Sequence, residues 1–241
     1  MTAPSGRRLT LTEELVVLSF RRDTRKRTSR SIDPSGSLMV MFRAALIIEL
    51  IELGRVGLVA QQDTRPGLTT FGLRALSSES TGTAATDGLL AEIASGRRSG
   101  KALSWWLHDG NTMRAVTEEL VGRGVVAERT KSFGPFTRDY RFEPVDVELD
   151  DVVRDRFEAV YYGGQEPTDR ECLMAAIIHD SNLWTYFGPL TGSSERNAFQ
   201  SRMSALAARR SSPIDAPNGG AGDYVAAVLA ASRVANSGGG H

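Results

Sequence analysis

Six basic side chains fall within ten residues of this chain, Arg21, Arg22, Arg25, Lys26, Arg27 and Arg30, opposed by Asp23 and, just beyond, Asp33. A guanidinium offers a planar fork of donors matched to phosphate oxygens. A cluster of such cations near an anionic bilayer contributes about 1 kcal/mol per side chain, enough for reversible attachment that weakens with salt. Further on, Arg43 stands inside L-M-V-M-F-R-A-A-L-I-I-E-L-I-E-L-G-R-V-G-L-V, Leu38 to Val59, a nearly all-round apolar helix that stops at Gly54. A charge in a largely buried helix is costly unless it is paired or opens onto a polar site. Arg43 is therefore either a structural ion-pair partner or a ligand contact.

Other chemistry finds little support. His108, His179 and His241 lack a second histidine or carboxylate at metal-ligand spacing, and His179-Asp180 reads as a pair at a helix end. Neither a nucleophile elbow, a Walker loop nor a dinucleotide fingerprint occurs. Cys172, the single cysteine, falls on the apolar side of a helix and reads as an inert buried thiol. Trp105 and Trp106 read as core packing or an interface anchor. The sequence thus predicts a non-enzyme with no cofactor and no metal site.

Composition sets the frame. With 241 residues, 41% of them apolar and 24% charged, the chain is long enough for a substantial core. Its 29 basic and 29 acidic residues cancel, so any attraction to nucleic acid or membrane has to be local. The run Leu38 to Leu53 is interrupted by Arg43, Glu49 and Glu52 and is too short and too charged to span a bilayer. No early segment reads as a secretory signal, and one cysteine suits a reducing, cytoplasmic setting.

The elements that must position these residues are mainly helical. We expect a mainly α protein, a single helical domain over 10–235 with small β-hairpins on its periphery, a loose segment 1–9 and a disordered tail 236–241. Thr10 with Glu13 and Thr168 with Glu171 form capping boxes that open helices. Helical patterns run over Thr12 to Arg21, the central segment, Asp87 to Ala94, Ala102 to Leu107, Thr112 to Arg123, Asp150 to Tyr162, the segment behind Thr168, Asn197 to Arg209 and Tyr224 to Ala235. Arg21 to Gly36 lacks apolar periodicity and reads as a loop. Arg55 to Gln61 with Leu68 to Leu76, and Val125 to Thr130 with Thr137 to Phe142, read as hairpins. Ile48 to Val59 and Glu118 to Ala127 share one design, an amphipathic helix running into a basic-plus-glycine corner and then a strand. The segment 113–142 also has the outline of a winged-helix DNA-binding module with Arg129, Lys131, Arg138 and Arg141 on its wing. Neutral net charge and the want of a clear preceding helix-turn-helix argue against that alternative.

Taken in order, L-T-L-T-E-E-L-V-V-L (Leu9 to Leu18), F-R-A-A-L-I-I-E-L-I-E-L-G-R-V (Phe42 to Val56), T-A-A-T-D-G-L-L-A-E-I (Thr83 to Ile93) and E-E-L-V-G-R-G-V-V (Glu118 to Val126) resemble the Golgi phosphoprotein 3 (GPP34) family. The resemblance implies a peripheral membrane protein that binds phosphatidylinositol 4-phosphate and serves as a trafficking or retention adaptor for membrane-protein clients. It also implies a position on the cytosolic membrane face, that of the Golgi in a eukaryote. By the same resemblance Arg43 falls on the family's phosphate-binding arginine, Arg114 lies one position from a second, and the hairpin 131–142 corresponds to one used for self-association, so that a homo-oligomer is implied. The family's tryptophan ahead of the central helix has no counterpart, since Asp33, Pro34 and Ser35 occupy that region. Arg22, Arg25, Arg27 and Arg30 are the candidates for a broader anionic-lipid surface in its place, and nucleic acid is not expected as a partner.

Overall fold

A helix that is apolar on every side must be surrounded by other elements. The computed structural model, which describes residues 8–23, 28–30, 36–62, 69–108, 112–133, 137–188, 192–209 and 224–237, surrounds it. In chain order the elements are α1 (Leu11–Ser19), β1 (Arg21–Asp23), β2 (Thr28–Arg30), α2 (Gly36–Glu52), β3 (Val56–Gln62), β4 (Thr69–Ala75), α3 (Ala84–Ala94), α4 (Leu103–Trp106), α5 (Thr112–Gly122), β5 (Val126–Phe133), β6 (Thr137–Pro144), α6 (Val147–Tyr161), α7 (Asp169–Asp180), α8 (Trp184–Phe187), α9 (Ser193–Ala208) and α10 (Tyr224–Ser237). The fold is mainly α, and among the described residues the strands pair as three antiparallel hairpins, β1–β2, β3–β4 and β5–β6. Helices α1, α3, α5, α7 and α10 pack around α2. Leu38, Met41, Phe42, Ala44, Ala45, Ile47, Ile48 and Leu50 of α2 are all fully buried, as are its charged residues Arg43 and Glu49 to within a few percent. No helix among the described residues is long and apolar enough to cross a membrane.

Helix α1 is held at both ends by side chains from its neighbours. At its start the Thr10–Glu13 capping box forms as the sequence predicts. The Glu49 carboxylate of α2 adds to it, accepting from the Leu11 amide, from the Thr12 amide at 3.2 Å and from the Thr12 hydroxyl at 2.8 Å. At its end Arg154 of α6 donates to the carbonyls of Val17 at 3.0 Å and Phe20 at 2.6 Å. A carboxylate at the amide end and a guanidinium at the carbonyl end both oppose the helix dipole. The second predicted capping box, Thr168 with Glu171, opens α7.

The shared corner is a repeated piece of architecture. Gly54 (φ +66°) and Gly124 (φ +72°) end α2 and α5 in the left-handed region that glycine adopts without a Cβ clash. At the first corner the Arg55 amide donates to the Leu50 carbonyl; at the second the Val125 amide donates to Leu120, both at 2.9 Å. Each hairpin then returns to its own corner. Leu76 and Ser77 donate to the Arg55 carbonyl, and Val145 and Asp146 to the Val125 carbonyl.

Several sequence expectations need correction. Arg21 to Gly36 is not one loop: β1 and β2 pair within it, in register Arg21↔Arg30, and α2 already begins at Gly36. Period-2 pairing over three residues leaves no hydrophobic trace, so pattern reading has nothing to detect. Leu9 is not loose, being 5% exposed with its carbonyl held by Arg170 at 2.9 Å. Helix α6 opens at Val147 because Asp146 caps it through the Leu149 amide, α9 opens at Ser193, and α10 runs on to Ser237, two residues into the predicted tail. The single turn α8 was not foreseen. The turn residues Pro66-Gly67 and Gly134-Pro135, the loop Ser211 to Gly222 and the tip of the tail lie outside the described residues.

Candidate headgroup-binding site

Arg43 leaves α2 at a junction with α3, α4 and α5, and donates to a group on each of them. Its Nε donates to the carbonyl of Trp106 at 3.1 Å, closing off the end of α4, and Nη1 donates to Oγ1 of Thr112, the first residue of α5, at 3.2 Å. Nη2 pairs with Oε2 of Glu92 on α3 at 2.9 Å. One guanidinium thus joins four helices, with its side chain only 5% exposed. Of the two readings left open by sequence, the structure displays the ion-pair geometry.

Glu92 has a second cation. Its other oxygen pairs with Arg98, so two guanidiniums share one carboxylate. Arg98 also lies over the indole of Trp105, its guanidinium carbon 4.8 Å from the ring centroid, and the Lys101 ammonium lies over the same ring at 5.6 Å. Trp105 is 38% exposed while Trp106, edge-on to it, is buried. None of Glu92, Arg98, Lys101, Trp105 and Thr112 was singled out for this site from sequence. The signal available was Arg97-Arg98, then Lys101, ahead of the Trp105-Trp106 pair.

The remaining candidates are dispersed. Arg114 is 75% exposed on α5 and donates to Glu118 at 2.7 Å, two residues along from the Thr112 that Arg43 engages. Arg22 and Arg30 stand on β1 and β2, opposite Ser29 and Arg21 respectively. Arg25 and Arg27 lie outside the described residues. Strand β2 of the first hairpin lies alongside β6, a neighbour that sequence reading did not give it. This brings Arg30 onto a strand next to the hairpin in which Arg129 is in register with Arg141 and Lys131 with Asp139. A separate cleft of about 180 Å³ between α1, α6 and α7, lined by Leu9, Leu18, Val153, Phe157 and Met174 among others, contains none of the groups around Arg43. Of the charges lining it, Arg156 pairs with Glu171 and Glu14 with Arg170.

The architecture is a mainly helical bundle around one buried apolar helix, with an arginine at its helix junction and hairpins at its edge. The chain belongs to the Golgi phosphoprotein 3 (GPP34) family, whose model matches residues 11–231. That family is one of Golgi-associated, non-catalytic trafficking proteins. No curated protein matches the chain.

Proposed function

We propose that this protein is a peripheral membrane adaptor that binds anionic lipid headgroups, phosphatidylinositol 4-phosphate foremost, and through them holds membrane-protein clients at the cytosolic face of a membrane. The observation that carries the reading is Arg43 itself: a guanidinium anchored at the meeting of α2, α3, α4 and α5, in the position corresponding to the family's phosphate-binding arginine. A phosphate reaching it competes with Glu92, whose Oε2 holds the Nη2 end of the guanidinium. Arg98 then remains as partner for the displaced carboxylate. Arg114 and the basic residues Arg22, Arg25, Arg27 and Arg30 supply less selective attraction to the bilayer around that point. Self-association through 131–142 multiplies weak headgroup contacts into stable attachment.

Co-sedimentation with vesicles of phosphatidylcholine alone, with added phosphatidylserine, and with added phosphatidylinositol 4-phosphate tests the reading. Selective pelleting with the phosphoinositide, lost in folded Arg43→Lys, supports it. Salt-sensitive pelleting with any anionic lipid, indifferent to Arg43 but lost when Arg22, Arg25, Arg27 and Arg30 are changed to Gln, moves the contact to the basic segment. Absence of vesicle binding together with DNA binding that needs Arg129, Lys131, Arg138 and Arg141 replaces it with the winged-helix alternative.

A further inference from the structure

Between α3 and α4 the chain makes two tight turns that carry cations and no acid. From Ser95 to His108 there are Arg97, Arg98 and Lys101 and neither Asp nor Glu. Gly96 (φ +65°) and Gly100 (φ +84°) set the turns. The Ser99 amide donates to Gly96 at 3.0 Å and the Lys101 amide to Arg98 at 3.2 Å. The turns deliver Arg98 and Lys101 over the indole of Trp105, while Arg97 and Lys101 stay exposed. The Trp105 ring is left 38% exposed beside these cations, although Trp106 next to it is buried.

We infer that Trp105, with Arg97, Arg98 and Lys101, is an interfacial anchor that seats this corner of the molecule in the headgroup layer of an anionic bilayer; the inference rests on the membrane reading above. Tryptophan belongs at the boundary between headgroups and acyl chains, where an amphipathic ring has one wet and one apolar side. Cations beside it meet phosphates at the same depth. A nucleic-acid base would have to stack on a ring face, and cations already lie over the ring, whereas insertion at an interface needs no free face. The cluster is joined through Arg98 and Glu92 to Arg43, so a bilayer contacting Trp105 lies next to the proposed headgroup site.

Vesicles of phosphatidylcholine with phosphatidylserine, prepared with and without bromines on the acyl chains, provide the test, with circular dichroism confirming that each variant is folded. Tryptophan emission of the wild-type protein is quenched by the brominated vesicles, and the quenching disappears in Trp105→Phe. The exposed pair Arg97→Gln/Lys101→Gln lowers partition onto these vesicles by roughly thirtyfold, the effect of two cations at an anionic leaflet. Wild-type binding with quenching that persists in Trp105→Phe, and partition unchanged in the Gln pair, overturns the anchor while leaving lipid binding through Arg43 intact. Failure to bind any vesicle removes both readings. Trp105-dependent binding of single-stranded DNA in place of vesicles overturns the anchor in favour of base stacking.

Discussion

Helix α2 buries one charge of each sign, and the two behave differently. Burial pushes the Glu49 carboxyl up from its ordinary 4.5, against the Thr12 hydroxyl, the amides of Thr12 and Leu11 and the charge of Arg170, all of which pull it down. The folded state therefore holds this proton more tightly than the unfolded chain. The Glu49 contribution to stability is complete below about 4.5, falls as pH rises through the higher folded value, and is level above it. Urea midpoints measured from pH 4 to 8 should show wild type losing stability relative to Glu49→Gln across that window. Arg43 lies deeper in charge pairing than in solvent, and Arg43→Ala should cost about 3 kcal/mol, the penalty for breaking a buried pair. Glu92→Ala should cost less, since Glu92 is 26% exposed. If Glu92 competes with lipid for Nη2 of Arg43, Glu92→Gln should raise affinity for phosphoinositide vesicles; unchanged or weaker binding would mean that Arg43 serves the fold alone.

At the scale of elements, the two glycine corners invite a direct comparison. A Cβ at Gly54 or Gly124 meets nothing within 4 Å, so alanine there bears only the left-handed backbone penalty of about 1–2 kcal/mol. Thermal or urea unfolding of Gly54→Ala and Gly124→Ala should show similar losses that add in the double variant, because each corner closes on its own hairpin. The cap of α7 yields a pH prediction of the opposite sign to Glu49. Burial raises the Glu171 carboxyl, but the Thr168 amide, the Arg156 guanidinium and the Thr168 hydroxyl outweigh it and hold the group below 4.5. Its contribution is present above 4.5 and is lost as pH falls through the lower folded value. Glu171→Gln should therefore lose less stability on acidification than wild type, though it starts lower at neutral pH.

For the whole molecule, formal neutrality means that the proposed membrane attraction has to come from local cations, nearly all of them arginines. Arginine stays charged across the biological range, so vesicle binding should be flat from about pH 6 to 8 and should fall as salt shortens the Debye length. A steep pH dependence in sedimentation assays would point to histidine or lipid titration. The proposed self-association through 131–142 is checked by sedimentation velocity across protein concentrations: if it holds, substitutions in that hairpin should shift the balance to monomer.

The amino-acid sequence by itself determined the parts whose causes are local. An apolar run without a polar face had to become the buried centre; Thr-x-x-Glu had to cap α1 and α7; glycine after Leu53 and after Arg123 had to end a helix and start a hairpin. It also carried the family motifs and flagged Arg43 as a charge that needed a partner. Only the tertiary structure decided what that partner is. Glu92 lies 49 positions away in sequence, Thr112 lies 69 positions away, and Trp106 contributes a backbone carbonyl that no side-chain pattern announces. The same holds for Glu49 capping a helix 38 residues upstream and for β2 lying beside β6. Capping and periodicity act over one or two turns of chain, whereas charge pairing and burial act through space, and the positions they select are set by how helices pack around α2.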